Sequence, residues 1–144
     1  MVMKNGDILL FDNGNLKPGT DPSDPNNLPY SRVVQFHTDE SAMTIKQLWD
    51  WKAPDSNGGF LYCPFIGDAD ELSNGDVLAT FGGAVDPVTD AIGAPTTQKF
   101  GRIVELVPGS NDDIVYQVDV HDLATTNAKS WSLYRAERVV DFPR

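Results

Sequence analysis

Hydrophobic and polar positions along the chain alternate in short runs and seldom recur at helical spacing. Asp7 to Phe11 (DILLF), Ser31 to His37 (SRVVQFH) and Ile45 to Trp51 (IKQLWDW) read as three strands. Asp76 to Phe81 (DVLATF), Arg102 to Val107 (RIVELV) and Asp113 to Val120 (DIVYQVDV) read as three more, with Asp68 to Leu72 ahead of them. Ser41 to Trp51 is the best helical candidate, but Trp49-Asp50-Trp51 alternates, so the segment is assigned to strand. Between these runs lie turn formers. Asn15 to Pro29 and Ala84 to Phe100, rich in Pro, Gly, Asp and Asn, predict long surface loops. Ser132 to Val140 reads as one further strand.

The runs recur in order. NGDILLFDNG at 5–14 is echoed by NGDVLATFGG at 74–83. Residues 31–36 are echoed by 101–106, and 45–51 by 114–120. The three echoes fall at nearly one constant spacing, which predicts an internal structural repeat. Setting Val139 against Leu72 places Tyr134 where Gly67 falls, so the tail reads as the opening strand of a third unit. The expected fold is all-β: a partial β-propeller of two blade-like antiparallel repeats plus the first strand of a third. It forms one domain, with repeat one at about 1–59, repeat two at about 60–122 and a closing strand at about 132–141. Two blades do not close a ring. The pattern therefore implies an incomplete propeller, a fragment of a longer fold, or self-association that completes it.

Composition narrows the function. The formal charge of −10 argues against a nucleic-acid surface, which needs clustered Lys and Arg. No apolar stretch is long enough to span a membrane as a helix, and MVMKNGD lacks the apolar core of a signal peptide. Cys63 is the single cysteine and reads as a small buried hydrophobe. The acidic stretch 68–76 fails the EF-hand pattern, with Leu72 and Ser73 at its fifth and sixth positions, so it reads as a solvated acidic turn, like Asp21 to Pro25. No metal or cofactor is called for.

The candidate chemistry rests on few residues. His37 and His121 stand at strand ends with no local partner that marks a base or nucleophile. Arg32 and Arg102 occupy the same place in both units, just after a long loop. Two readings stand: an ion pair between blades, or recognition of sulfate or phosphate oxygens by the planar guanidinium fork. Tyr134 could donate to a substrate oxygen if its strand lines a central channel, or pack at a blade seam.

Taken in order, FDNGN, YSRVVQF, IKQLWDW, GDADELSNGDVLATFGG, GRIVEL and YRAERV resemble the C-terminal propeller part of the bacterial arylsulfate sulfotransferase family. The resemblance implies a periplasmic β-propeller enzyme that moves a sulfuryl group from an aryl sulfate to a phenol through a transient sulfohistidine, without a nucleotide donor or other cofactor. It implies that Arg32 is the sulfate-binding arginine and Tyr134 the C-terminal channel tyrosine. The place of a channel histidine is held by Gly67, so the nucleophile is expected outside this chain and the isolated chain is expected to be inactive. The rival expectation is a non-catalytic propeller module for binding or scaffolding.

Overall fold

A computed structural model describes residues 1–56, 58–87, 98–109, 113–123 and 129–139. Among them there is no helix and there are seven strands: β1 (Ile8–Asp12), β2 (Arg32–Asp39), β3 (Thr44–Trp51), β4 (Gly67–Glu71), β5 (Val77–Ala84), β6 (Phe100–Val107) and β7 (Asp113–Val120). They form two antiparallel sheets in simple meander order, β1-β2-β3 and β4-β5-β6-β7. The fold is all-β and partial propeller-like. All seven predicted core runs are strands, and their ends shift only slightly. The largest shift is at β5, which continues through Gly82 and Gly83 to Ala84.

The Asn-Gly-Asp phrases build matching turns. Gly6 and Gly75 adopt φ of +89° and +90°, a region open to glycine and strained for other residues. Asn5 Nδ2 donates to Asp7 Oδ2 at 2.9 Å and the Asp7 amide donates back to Asn5 Oδ1 at 3.0 Å. Asn74 and Asp76 repeat the exchange at 2.7 and 3.2 Å. The first turn is preceded by a short ladder stub. Val2 bridges Ile8, and the Met1 ammonium donates to the Leu9 carbonyl at 2.7 Å. Both sheets carry a bulge where their second-to-last and last strands pair, at Gln35/Phe36 and at Glu105/Leu106.

Alternation decides what the sheets bury. Leu9, Val33 and Trp51 face the second sheet, with Phe11 partly buried beside them. From the second sheet, Ala69, Val77, Ala79, Phe81, Val104 and Leu106 face back. Phe81 is the centre of this seam. Its ring meets Phe11 edge-on at 5.0 Å and Trp51 at 5.9 Å. Each such pair adds about 0.5–1.5 kcal/mol to the burial of the rings. Gly67 has a packing reason to be glycine, since a Cβ there would overlap the Phe11 ring. β5 is buried at every position, because its other face is covered too.

That cover comes from the chain after β7. The Leu133 amide donates to the Gly82 carbonyl at 2.7 Å, and its side chain lies where a Cβ on Gly101 would project. Arg138 reaches Glu105 at 2.9 Å. The expected strand from Ser132 is not formed over residues 132–139: this stretch crosses the sheet without joining a ladder. Leu133 bonds β5 at Gly82, but no ladder continues from that bond along the described stretch.

The segment between the sheets is pinned by buried polar groups. Ser31, fully buried, donates from its amide to Leu61 O and from Oγ to Asn13 O, and accepts from the Cys63 amide at 2.7 Å. Asn13 and Asn15 donate to the carbonyls of Cys63 and Pro64.

Candidate functional site

Arg32 opens β2 between Asp12 on β1 and Asp50 on β3. Its Nε donates to Asp12 Oδ2 at 2.9 Å, and its Nη1 to Gln47 Oε1 at 3.1 Å and Asp50 Oδ2 at 3.2 Å. Two lysines extend the set. Lys17 Nζ meets the same Asp12 Oδ2 at 3.0 Å, and Lys52 Nζ meets the same Asp50 Oδ2 at 3.7 Å. Both ammonium groups then lie over the Tyr30 ring, at 4.7 and 5.1 Å from its centroid. The contacts close a ring of side chains: Lys17, Asp12, Arg32, Asp50, Lys52, Tyr30. Phe60 flanks it, 5.9 Å from Tyr30 and 5.5 Å from Lys52 Nζ.

The electrostatics of this ring favour the charged forms of Asp12 and Arg32. Burial works against ionisation of Asp12, but hydrogen bonds from Arg32 and Lys17 outweigh it and hold the carboxyl below its ordinary range. Burial likewise opposes the Arg32 charge, and Asp12 and Asp50 overcome it and raise its pKa. Three cations thus face two carboxylates, an excess of one positive charge on a chain of formal charge −10.

Arg102, the counterpart of Arg32 in the second sheet, is held differently. Its Nε and Nη2 form a bidentate pair with Asp119 at 2.7 and 2.8 Å, and its Nη1 donates to the Pro54 carbonyl at 2.6 Å. That last bond crosses from the second sheet to the loop after β3. The expected ion pairs between blades are instead ion pairs within each sheet, because guanidinium and carboxylate sit on adjacent strands. Arg102, Asp119 and His121 line a cleft of about 850 Å³ together with Phe60, Phe100 and Leu28.

Tyr134 is 82% exposed. Its neighbour Leu133 is anchored on the second sheet, whereas every ion pair and hydrogen bond of the Arg32 side chain goes to β1 and β3. The structure therefore does not bring Arg32 and Tyr134 into contact. His37 lies inside β2, since the strand runs on to Asp39. Its Nδ1 meets Asp7 Oδ1 at 2.8 Å, and the imidazole is 56% exposed. Asp7 is buried and also accepts from Gln35 at 2.6 Å. His121 is exposed, its Nδ1 3.3 Å from the Asp122 carbonyl. Cys63 is fully buried, and burial pushes its thiol up to about 12, which removes it as a nucleophile near neutral pH.

Lys17, Tyr30, Lys52 and Phe60 carry no sequence signal of their own. Lys17 and Tyr30 bound a loop that reads only as polar spacer, and Lys52 and Phe60 border another. Only Tyr30 and Lys52 stand close in sequence to the Arg32 and Asp50 strand ends.

Two comparisons bear on what this arrangement serves. In a curated relative, the arylsulfate sulfotransferase AssT of Escherichia coli O6:H1, 102 residues align at 26% identity. They cover 71% of this chain and 16% of the relative, so the chain spans a small part of that enzyme's length. The sequence model described as Arylsulfotransferase (ASST) matches residues 1–135, nearly the whole chain. The chain belongs to the arylsulfotransferase family.

Proposed function

We propose that the chain is part of an enzyme that transfers a sulfuryl group from an aryl sulfate to a phenol. The observation that carries this reading is the family match across residues 1–135. In this reading a histidine nitrogen attacks sulfur, the S–O bond to the donor ring breaks and the phenolate leaves. The acceptor phenol then gives up its proton, its oxygen attacks the same sulfur, and the histidine is released. The protein's share is to place cations around the sulfuryl oxygens.

Arg32, within its cation-rich ring, is the group in this chain suited to that task, and exposed Tyr134 is the second substrate contact. The nucleophile lies outside these residues. His37 stands further along the same strand as Arg32, about 16 Å away, with its Nδ1 on Asp7. His121 lines the cleft that Arg102 and Asp119 share with Phe60. The same resemblance supports periplasmic residence. Among the described residues no helix is long and apolar enough to cross a membrane. We also read residues 1–59 and 60–122 as two copies of one unit. The paired Asn-Gly-Asp turns and the equivalent bulges at Gln35 and Glu105 support that reading.

The test is release of phenolate from a chromogenic aryl sulfate in the presence of an acceptor phenol. A longer protein containing this chain turns over, and Arg32→Ala in it lowers the rate. The isolated chain releases nothing. Unchanged turnover in the Arg32→Ala protein removes Arg32 from the site, and turnover by the isolated chain places the nucleophile within it.

A further inference from the structure

We propose that the ring formed by Lys17, Arg32 and Lys52 around Tyr30 is a binding site for a singly charged aryl oxyanion ester, with Phe60 as the rest for the aryl ring. The inference deepens the sulfuryl-transfer reading and rests on it for the choice of ester.

Three observations carry it. The first is the charge count. Lys17, Arg32 and Lys52 are joined through Asp12 and Asp50 into one network whose excess is a single positive charge. A sulfate monoester brings one negative charge and neutralises it. An aryl phosphate carries close to two above neutral pH, and the second would lie unpaired beside Asp12 and Asp50.

The second is geometry. Arg32 spends Nε and Nη1 on the sheet, and among the described residues Nη2 has no hydrogen-bond partner. The lysines each touch one carboxylate oxygen and otherwise rest on an aromatic face, a contact worth far less than an ammonium–oxyanion hydrogen bond. All three cations therefore retain donors for sulfate oxygens.

The third is the adjoining apolar surface. Phe60 is 44% exposed and lies against both Tyr30 and Lys52. An ester whose sulfate sits among the ammonium groups has this ring within reach of its own. Inorganic sulfate does not use it.

The experiment is direct titration of the 144-residue chain, with no acceptor present and at constant ionic strength. The probes are 4-nitrophenyl sulfate, 4-nitrophenyl phosphate at pH 8 and inorganic sulfate. The expected result is saturable binding of the sulfate ester at roughly millimolar or tighter, with the phosphate ester and inorganic sulfate weaker. Lys17→Gln and Lys52→Gln, both changes at partly exposed side chains, each weaken the ester about tenfold, as loss of one charged hydrogen bond does. Phe60→Ala weakens the ester and leaves inorganic sulfate unchanged. Circular dichroism and the urea midpoint confirm that each variant is folded.

No saturable binding by the folded chain overturns the site, and so do two lysine variants that bind like the parent. A Phe60→Ala chain that binds the ester as the parent does overturns the role of Phe60. Because the readout is binding, the two readings separate. Ester binding with no turnover in a longer protein sinks the transferase reading alone, and turnover that ignores both lysines sinks this site alone.

Discussion

Asp12 and Arg32 face each other across the β1–β2 ladder and are ion-paired at 2.9 Å, while the matching position on the second sheet pairs Phe81 with Arg102. One cross-strand place thus holds a carboxylate in one sheet and the central core ring in the other. The first sheet keeps a charged network at its end; the second spends the position on packing and hands its arginine to Asp119 and Pro54. The contrast leads to the first prediction. Asp12→Asn raises the excess charge of the Arg32 network from one to two. It should shift preference from the sulfate ester towards the phosphate ester in the same titration. The pair is partly exposed, so the stability cost should stay near 1 kcal/mol or below, roughly. An unchanged ratio of the two affinities counts against charge matching.

Phe81→Ala empties the seam between Phe11 and Trp51. A fully buried ring removed from such a place costs about 3–5 kcal/mol, enough to lower the urea midpoint sharply or to unfold a marginal domain. Gly67→Ala tests the other partner of the same seam. Its methyl must displace the Phe11 ring, so a loss of about 1–3 kcal/mol is expected. A neutral Gly67→Ala would show that Phe11 repacks freely.

The His37–Asp7 contact predicts an acid limb in stability. The hydrogen bond from His37 holds the Asp7 carboxyl below its ordinary value of 3.8, and burial opposes this without overcoming it. A carboxylate with a depressed folded pKa contributes stability that is present above the unfolded value. That stability is lost as pH falls from about 3.8 through the folded value, because the unfolded chain binds the proton first. His37→Gln should flatten this limb. Urea midpoints measured between about pH 2 and pH 5 check it; identical limbs in parent and variant would remove His37 as the cause.

Cys63 should resist alkylation. With no exposed surface and a thiol pushed up to about 12, it presents almost no thiolate at pH 8. Mass spectrometry after iodoacetamide should show an unmodified native chain and a fully modified one in urea. Rapid labelling of the native chain would mean that the segment between the sheets opens.

Strand positions are legible because their signals are local. Period-two alternation and Asn-Gly-Asp turns act over short spans of chain, and a sheet built from adjacent strands honours them. The tail departs from its pattern for the converse reason. Ser132 to Val140 alternates like a strand, but a strand needs a continuing ladder of such bonds, and over 132–139 Leu133 bonds Gly82 and rests its side chain over Gly101 without one forming.

The candidate site divides the same way. Arg32 stands out because its run of residues is echoed further along the chain, at Arg102. Lys17 and Lys52 do not, since they lie on different loops far apart in the chain and only the Tyr30 ring unites them. Sequence by itself determined that this chain is β throughout, where it turns, and which arginine to watch. Tertiary structure alone decided that Asp12 meets Arg32 while Phe81 takes the matching place. Ladder register and the facing of successive sheets are set by burial summed over the whole seam, and no single run of residues encodes them.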